Sequence, residues 1–260
     1  MIKGLRGGTA MAGLIYDREA HRPGPLLRGH LLRFDKRDAP AYPAASGWVL
    51  LAIFVIFEIV LGPRLEHLTL LGTTLPDAAV RLALQISAVL ILVRLAAKLP
   101  WRQVGFVPLT QWTATEALYF LQVTLAAAAV FYFVYLRSVT AVPGPTQAVG
   151  LVLLTQMLWG LYQELMYRGL LQTELTRRLG ALWGALIANL AFTFGPLHFY
   201  YFNSTMTGAG KAIMLAMIFG IGLFFAFIFA RTRNLWIVGI FHGIGNLYTN
   251  GGSEIHSLFK

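Results

Sequence analysis

Seven apolar runs divide the chain, near 47–63, 78–97, 114–136, 146–171, 180–201, 211–230 and 234–250. A helix needs roughly 17–25 such residues to cross a bilayer. The first run is marginal and the last short, so the range is six to eight spans and the count is seven. Polar breakers separate them: Gly62-Pro63, Leu99-Pro100, Pro143-Gly144-Pro145 and Thr207-Gly208-Ala209-Gly210. The expected architecture is an all-α polytopic transmembrane helix bundle with a polar site near mid-membrane. Residues 1–46 read as a basic extension, 47–145 as three helices, 146–250 as a four-helix core and 251–260 as a tail.

Composition supports a membrane protein. The chain is 57% hydrophobic and 12% charged, whereas soluble domains carry about 25% charged residues. Having no cysteine, it lacks disulfides, Cys-ligated zinc and thiol catalysis. The net charge is +10, and eight basic residues lie in the first 46 (Lys3, Arg6, Arg18, Arg22, Arg28, Arg33, Lys36 and Arg37). Positive charge before a first span marks the cytoplasmic face and attracts anionic lipid, so the bilayer is the expected partner and nucleic acid is not. Loop charge agrees: inner loops would hold Lys98/Arg102, Arg177/Arg178 and Arg231/Arg233, against single Arg64, Arg137 and Lys211 outside. The first long apolar run begins near Gly47, too late for a cleaved signal peptide. Length and the lack of organelle signals favour a prokaryotic plasma membrane with the N-terminus cytoplasmic.

The chemistry lies where the apolar runs are interrupted. Glu164 and Arg168 stand four residues apart in the fourth run, His198 interrupts the fifth, and His242 and Asn246 sit one turn apart in the seventh. An ionisable group in hydrocarbon costs several kcal/mol and faces the bundle interior. With a hairpin near Leu179-Gly180, Glu164 lies about 22 Å before the turn and His198 about 27 Å after it, so the two meet at similar depth. A carboxylate near two imidazoles can bind a divalent cation such as zinc, with His198, His242 and Glu164 as the ligand set, or orient a water for attack on a carbonyl. Asn246 and Arg168 can stabilise an oxyanion. The bland alternatives are an i,i+4 ion pair between Glu164 and Arg168 and interhelical hydrogen bonding by the histidines. Glu58 and Arg81 are expected to pair without a catalytic role, while Arg94 snorkels to the interface. Gly180/Gly184 and Gly239/Gly243 are read as packing pairs.

Gln163-Glu164-x-x-x-Arg168, Phe194-x-x-x-His198 and His242-x-x-x-Asn246 resemble the three motifs of the CAAX-protease and bacteriocin-processing family, the Abi intramembrane endopeptidases, over about residues 146–250. The resemblance implies hydrolysis of a peptide bond in a membrane-anchored protein or peptide precursor. It further implies that His198 and His242 hold the attacking water or a metal ion, and that Asn246 and Arg168 serve the oxyanion or the site's architecture. The family's first motif begins Glu-Glu, and its first Glu is the residue usually assigned to activating water. Here that position is Gln163, whose amide is no general base at neutral pH, which leaves Glu164 as base by elimination.

Three readings of Gln163 stay open. It is an introduced change that traps an inactive enzyme, a natural variant whose base is Glu164 or a histidine, or the mark of a pseudoprotease or membrane scaffold that binds peptides without cutting them. A proton-coupled transporter is a further alternative. Such folds pair broken helices in corresponding halves, and Gly195-Pro196 breaks the fifth run without a counterpart in the first half.

Overall fold

The computed structural model describes residues 16–17, 22–23, 41–65, 74–112, scattered positions of 114–129, and 146–247. Apart from a two-residue antiparallel pair, Tyr16–Asp17 with Arg22–Pro23, the described elements are helical. The first helix, α1 (Ala44–Phe54), runs on through a π-helical stretch at Val55–Leu61 and a last turn at Gly62–Leu65; α2 is Thr74–Leu95. After short 3-10 turns at Trp101–Val104 and Leu109–Gln111 comes α3 (Thr146–Glu164), which continues as a second π-helical stretch, Leu165–Gln172, into α4 (Thr173–Leu179). The remainder is α5 (Ala181–Phe194), the 3-10 turn Pro196–His198, α6 (Phe199–Asn203), α7 (Gly208–Thr232) and α8 (Leu235–Asn246).

Among the described residues four helices are long and apolar enough to cross a membrane: Ala44–Leu61, Asp77–Leu95, Ala181–Asn203 and Gly208–Thr232. They match the first, second, fifth and sixth expected runs. The last run forms the shorter apolar helix Leu235–Asn246. The fourth is the α3–α4 rod, where Gln163, Glu164, Arg168 and Gln172 dilute the hydropathy. Much of the third run, 114–136, lies outside the described residues, as do 1–15, 24–40 and 251–260 of the expected termini.

The α3–α4 rod is the axis of the fold. Residues 160–174 are all buried, because α2 and α8 pack along α3 while α1 and α5 cover the π-helical stretch. Close approach to α8 depends on missing side chains. A Cβ on Gly160 would stand 2.7 Å from the Gly239 carbonyl oxygen and 2.8 Å from the Gly243 Cα. The Gly239/Gly243 pair is thus a packing device, as expected from its spacing.

The expected hairpin also forms. Gly180, at φ 84°, joins α4 to α5 in a conformation that glycine adopts without steric cost. At this end of the rod Glu174 ties α1 to α4. Its buried carboxylate accepts from the Tyr42 hydroxyl at 2.9 Å, from Arg177 Nη2 at 2.6 Å and Nε at 2.8 Å, and from Arg178 Nε. Arg178 also lies over the Trp48 ring, 3.9 Å from its centroid.

Burial alone would raise the Glu174 pKa, but the hydrogen bonds from Arg177, Arg178 and Tyr42 outweigh it and hold the carboxyl below the ordinary glutamate range. A depressed folded-state value stabilises the protein above the unfolded value, about 4.3, and the contribution is lost as pH falls through the folded value. Glu174→Gln is therefore expected to cost about 2 kcal/mol at pH 7, with the gap from the parent closing in acid. Thermal melts of both proteins across pH check this, and a gap independent of pH would contradict it.

Candidate active site

Glu164 is the last residue of α3, where the helix begins to widen into the π-helical stretch. Such stretches are rare and often accompany functional sites. The carboxylate is fully buried and meets two partners. Its Oε1 lies 2.7 Å from His242 Nδ1, and its Oε2 lies 3.3 Å from Arg168 Nε. His242, 9% exposed, comes from the middle of α8, brought in by the glycine contact between α3 and α8. Its ring stacks on Phe225 of α7 with centroids 4.8 Å apart.

Arg168 is fully buried too. Its Nη2 donates to the Gly222 carbonyl at 3.0 Å, and its guanidinium lies 4.8 Å from the Phe192 ring centroid. A buried guanidinium in this position is held by a carboxylate, a helix carbonyl and an aromatic face. Its contacts run to the Glu164 carboxylate, to α7 and to Phe192.

Phe192 joins the two histidines. Its ring lies 5.8 Å from His242 and 5.0 Å from His198, edge-on to both. Gly195-Pro196 ends α5, and the following 3-10 turn carries His198 back over that ring, with His198 Nδ1 2.7 Å from the Phe192 carbonyl oxygen. A carbonyl only accepts, so Nδ1 carries the proton and the lone pair of His198 stays on Nε2. In the same way a neutral His242 donates from Nδ1 to Glu164 and keeps a bare Nε2. The motif that carries the family resemblance pairs Phe194 with His198. Because the helix breaks between them, the helical phase is lost, and Phe194 is 46% exposed while Phe192 is 2% exposed.

Gln163 is 5% exposed and its Oε1 has no hydrogen-bond partner among the described residues. It stands outside the Glu164–His242–Arg168 contacts. Asn246 closes α8 one turn beyond His242 and is half-buried. The expected zinc set fails a direct test of fit: among the described residues no three His, Cys, Asp or Glu side chains gather closely enough to hold a metal ion. Glu164 has one oxygen turned to His242 Nδ1 and the other to Arg168, which leaves no ligand arm beside the bare histidine nitrogens.

Glu58 was read as an ion-pair partner without function. It is 6% exposed on the first π-helical stretch and accepts from the Tyr167 hydroxyl at 2.8 Å. Tyr167 packs edge-on against Phe192 at 5.2 Å, so Glu58 lies beside the site. No spacing could have revealed a contact between residues 109 positions apart.

The described helices thus bring together a buried Glu–His couple, a supporting arginine and a second histidine on a broken helix. Residues 145–248 match the family described as Rce1-like, type II CAAX prenyl endopeptidase Rce1-like. That region runs from the start of α3 to the end of α8, and the match shows the resemblance to the CAAX-protease family read from the three motifs. It is a protease family, and with its four apolar spans the chain is an integral membrane protein. No curated protein and no solved structure matches the chain.

Proposed function

We propose that this chain is an intramembrane endopeptidase acting on a membrane-anchored protein or peptide precursor, prenylated CAAX-type proteins included, in a bundle of seven spans with its N-terminus in the cytoplasm of a prokaryotic cell. The observation that carries the reading is the 2.7 Å contact between His242 Nδ1 and a fully buried Glu164, a geometry that orients an imidazole and stabilises its protonated form.

The two bare Nε2 atoms of His198 and His242 suit a water that donates to both and turns a lone pair towards the scissile carbonyl. Attack forms the carbon–oxygen bond while the water proton passes to His242 Nε2. Glu164 accepts from the resulting imidazolium, and Arg168 keeps that carboxylate in place. Asn246 supplies an amide donor for the oxyanion. Collapse breaks the carbon–nitrogen bond as His242 returns the proton to the leaving amine. In this scheme Glu164 acts through His242, and Gln163 takes no proton.

The second reading is a pseudoprotease that keeps the cleft without turnover. The amide at Gln163, where the family carries a carboxylate, is the observation in its favour. Cleavage of a panel of membrane-anchored peptides by the parent and by Gln163→Glu separates the two. The proposal expects cleavage by both, within about tenfold of each other (about 1.4 kcal/mol). A silent parent beside an active Gln163→Glu would establish a site disabled at one side chain.

A further inference from the structure

The π-helical stretch and α5 carry polar groups that the peptidase scheme leaves unused, Gln172, Asn189 and Thr193, beside the Arg168 that it uses only to hold Glu164. Arg168, Gln172, Asn189 and Thr193 are each fully buried. Three of them are anchored to carbonyls of α7 about one turn apart: Asn189 Nδ2 to Phe219 at 2.9 Å, Arg168 Nη2 to Gly222 at 3.0 Å and Gln172 Nε2 to Ala226 at 2.9 Å. Every one of the four nevertheless retains a buried polar atom with no hydrogen-bond partner among the described residues: Arg168 Nη1, Gln172 Oε1, Asn189 Oδ1 and Thr193 Oγ1.

These atoms share one interior. Arg168 bonds the Gly222 carbonyl, and a Cβ on Gly222 would run into the Asn189 carboxamide, so both side chains converge on that glycine. Thr193 follows Asn189 by one turn on the same face of α5, and the intervening Phe192 carries the Arg168 guanidinium. The result is one N–H donor, two carbonyl acceptors and a hydroxyl able to do either. Buried groups of this kind are met in folded proteins by internal water making about three hydrogen bonds. An ion suits the position less well, because Glu164 already balances Arg168 and an added charge would lie uncompensated in low dielectric.

We propose that the interior between the π-helical stretch, α5 and α7 is a water-binding seam behind the Glu164–Arg168 pair, formed by Arg168, Asn189, Thr193 and Gln172. Three of its four members are anchored along α7 between the Phe219 and Ala226 carbonyls, a distance of about 10 Å. The seam solvates a buried charge pair where lipid supplies nothing. Its existence does not depend on the peptidase reading.

Hydroxyl-radical footprinting of the full chain in nanodiscs tests this, because radiolysis of an ordered water oxidises the side chains beside it. Three buried phenylalanines calibrate the reading: Phe192 borders the seam, Phe225 stacks on His242 at the site, and Phe229 is fully buried elsewhere. The expected result is oxidation of Phe192 at least about fivefold above both Phe225 and Phe229, falling to their level in Asn189→Leu and Thr193→Val and retained in Thr193→Ser. Oxidation of Phe192 no greater than that of Phe225 or Phe229 would overturn the proposal. Oxidation unchanged in the apolar variants would do the same, since it would assign the water to the histidine side. Should Asn189→Leu fail to fold, Thr193→Val, which keeps the side-chain shape, decides: unchanged oxidation of Phe192 in that variant would overturn the proposal.

Discussion

Arg168→Ala is expected to lower the unfolding free energy by about 3–5 kcal/mol, the cost of stranding a buried charge by removing its partner. Glu164 is fully buried and has only His242 to replace the lost cation. The substitution also removes the donor to the Gly222 carbonyl and the guanidinium over Phe192. Denaturant titration in micelles or bicelles measures the change. Arg168→Lys keeps the charge but not the planar fork, and is expected to recover part of the loss. A loss under about 1 kcal/mol in Arg168→Ala would place the pair among exposed ion pairs of little consequence, against the burial described here.

His198→Ala and His242→Ala are each expected to lower peptide cleavage by about 10²–10⁴-fold, the usual contribution of a positioned proton-transfer group, while leaving membrane insertion intact. The two act on one water, so the double variant is expected to fall little below the worse single variant, as residues that work as a unit are non-additive. Rates on one membrane-anchored peptide, with thermal melts as a check on folding, measure this. Parental cleavage by either single variant would remove the shared site.

Much of this arrangement was legible from the chain. An ionisable pair four residues apart in an apolar run reads directly as a buried cluster, and Glu164 and Arg168 are both fully buried. The His242 spacing placed its imidazole inside, because α8 has one face closed by the glycine contact with α3. The hairpin at Gly180 and the break at Gly195-Pro196 both follow from residues with strong backbone preferences.

What escaped is equally physical. Neither π-helical stretch has a composition that distinguishes it from an α-helix, yet the second runs through Leu165–Gln172, where it re-aims Arg168 towards α7. The helix break near His198 made Phe192, and not Phe194, its neighbour. The Glu58–Tyr167 hydrogen bond joins α1 to the rod, a tertiary pairing invisible to local pattern. The zinc set was plausible as a list of residue types, but direction matters: Glu164 meets His242 through Nδ1 and gives its other oxygen to Arg168.

The central claim is that Glu164, acting through His242, drives hydrolysis without a carboxylate at position 163. The most direct measurement is the cleavage rate of one membrane-anchored peptide by the parent and by Glu164→Gln, reconstituted in the same vesicles. Glutamine can still accept the His242 Nδ1 hydrogen bond but carries no charge to stabilise the imidazolium. The account predicts cleavage by the parent and a loss of about 10²–10⁴-fold in Glu164→Gln. Equal cleavage by the two proteins would contradict it.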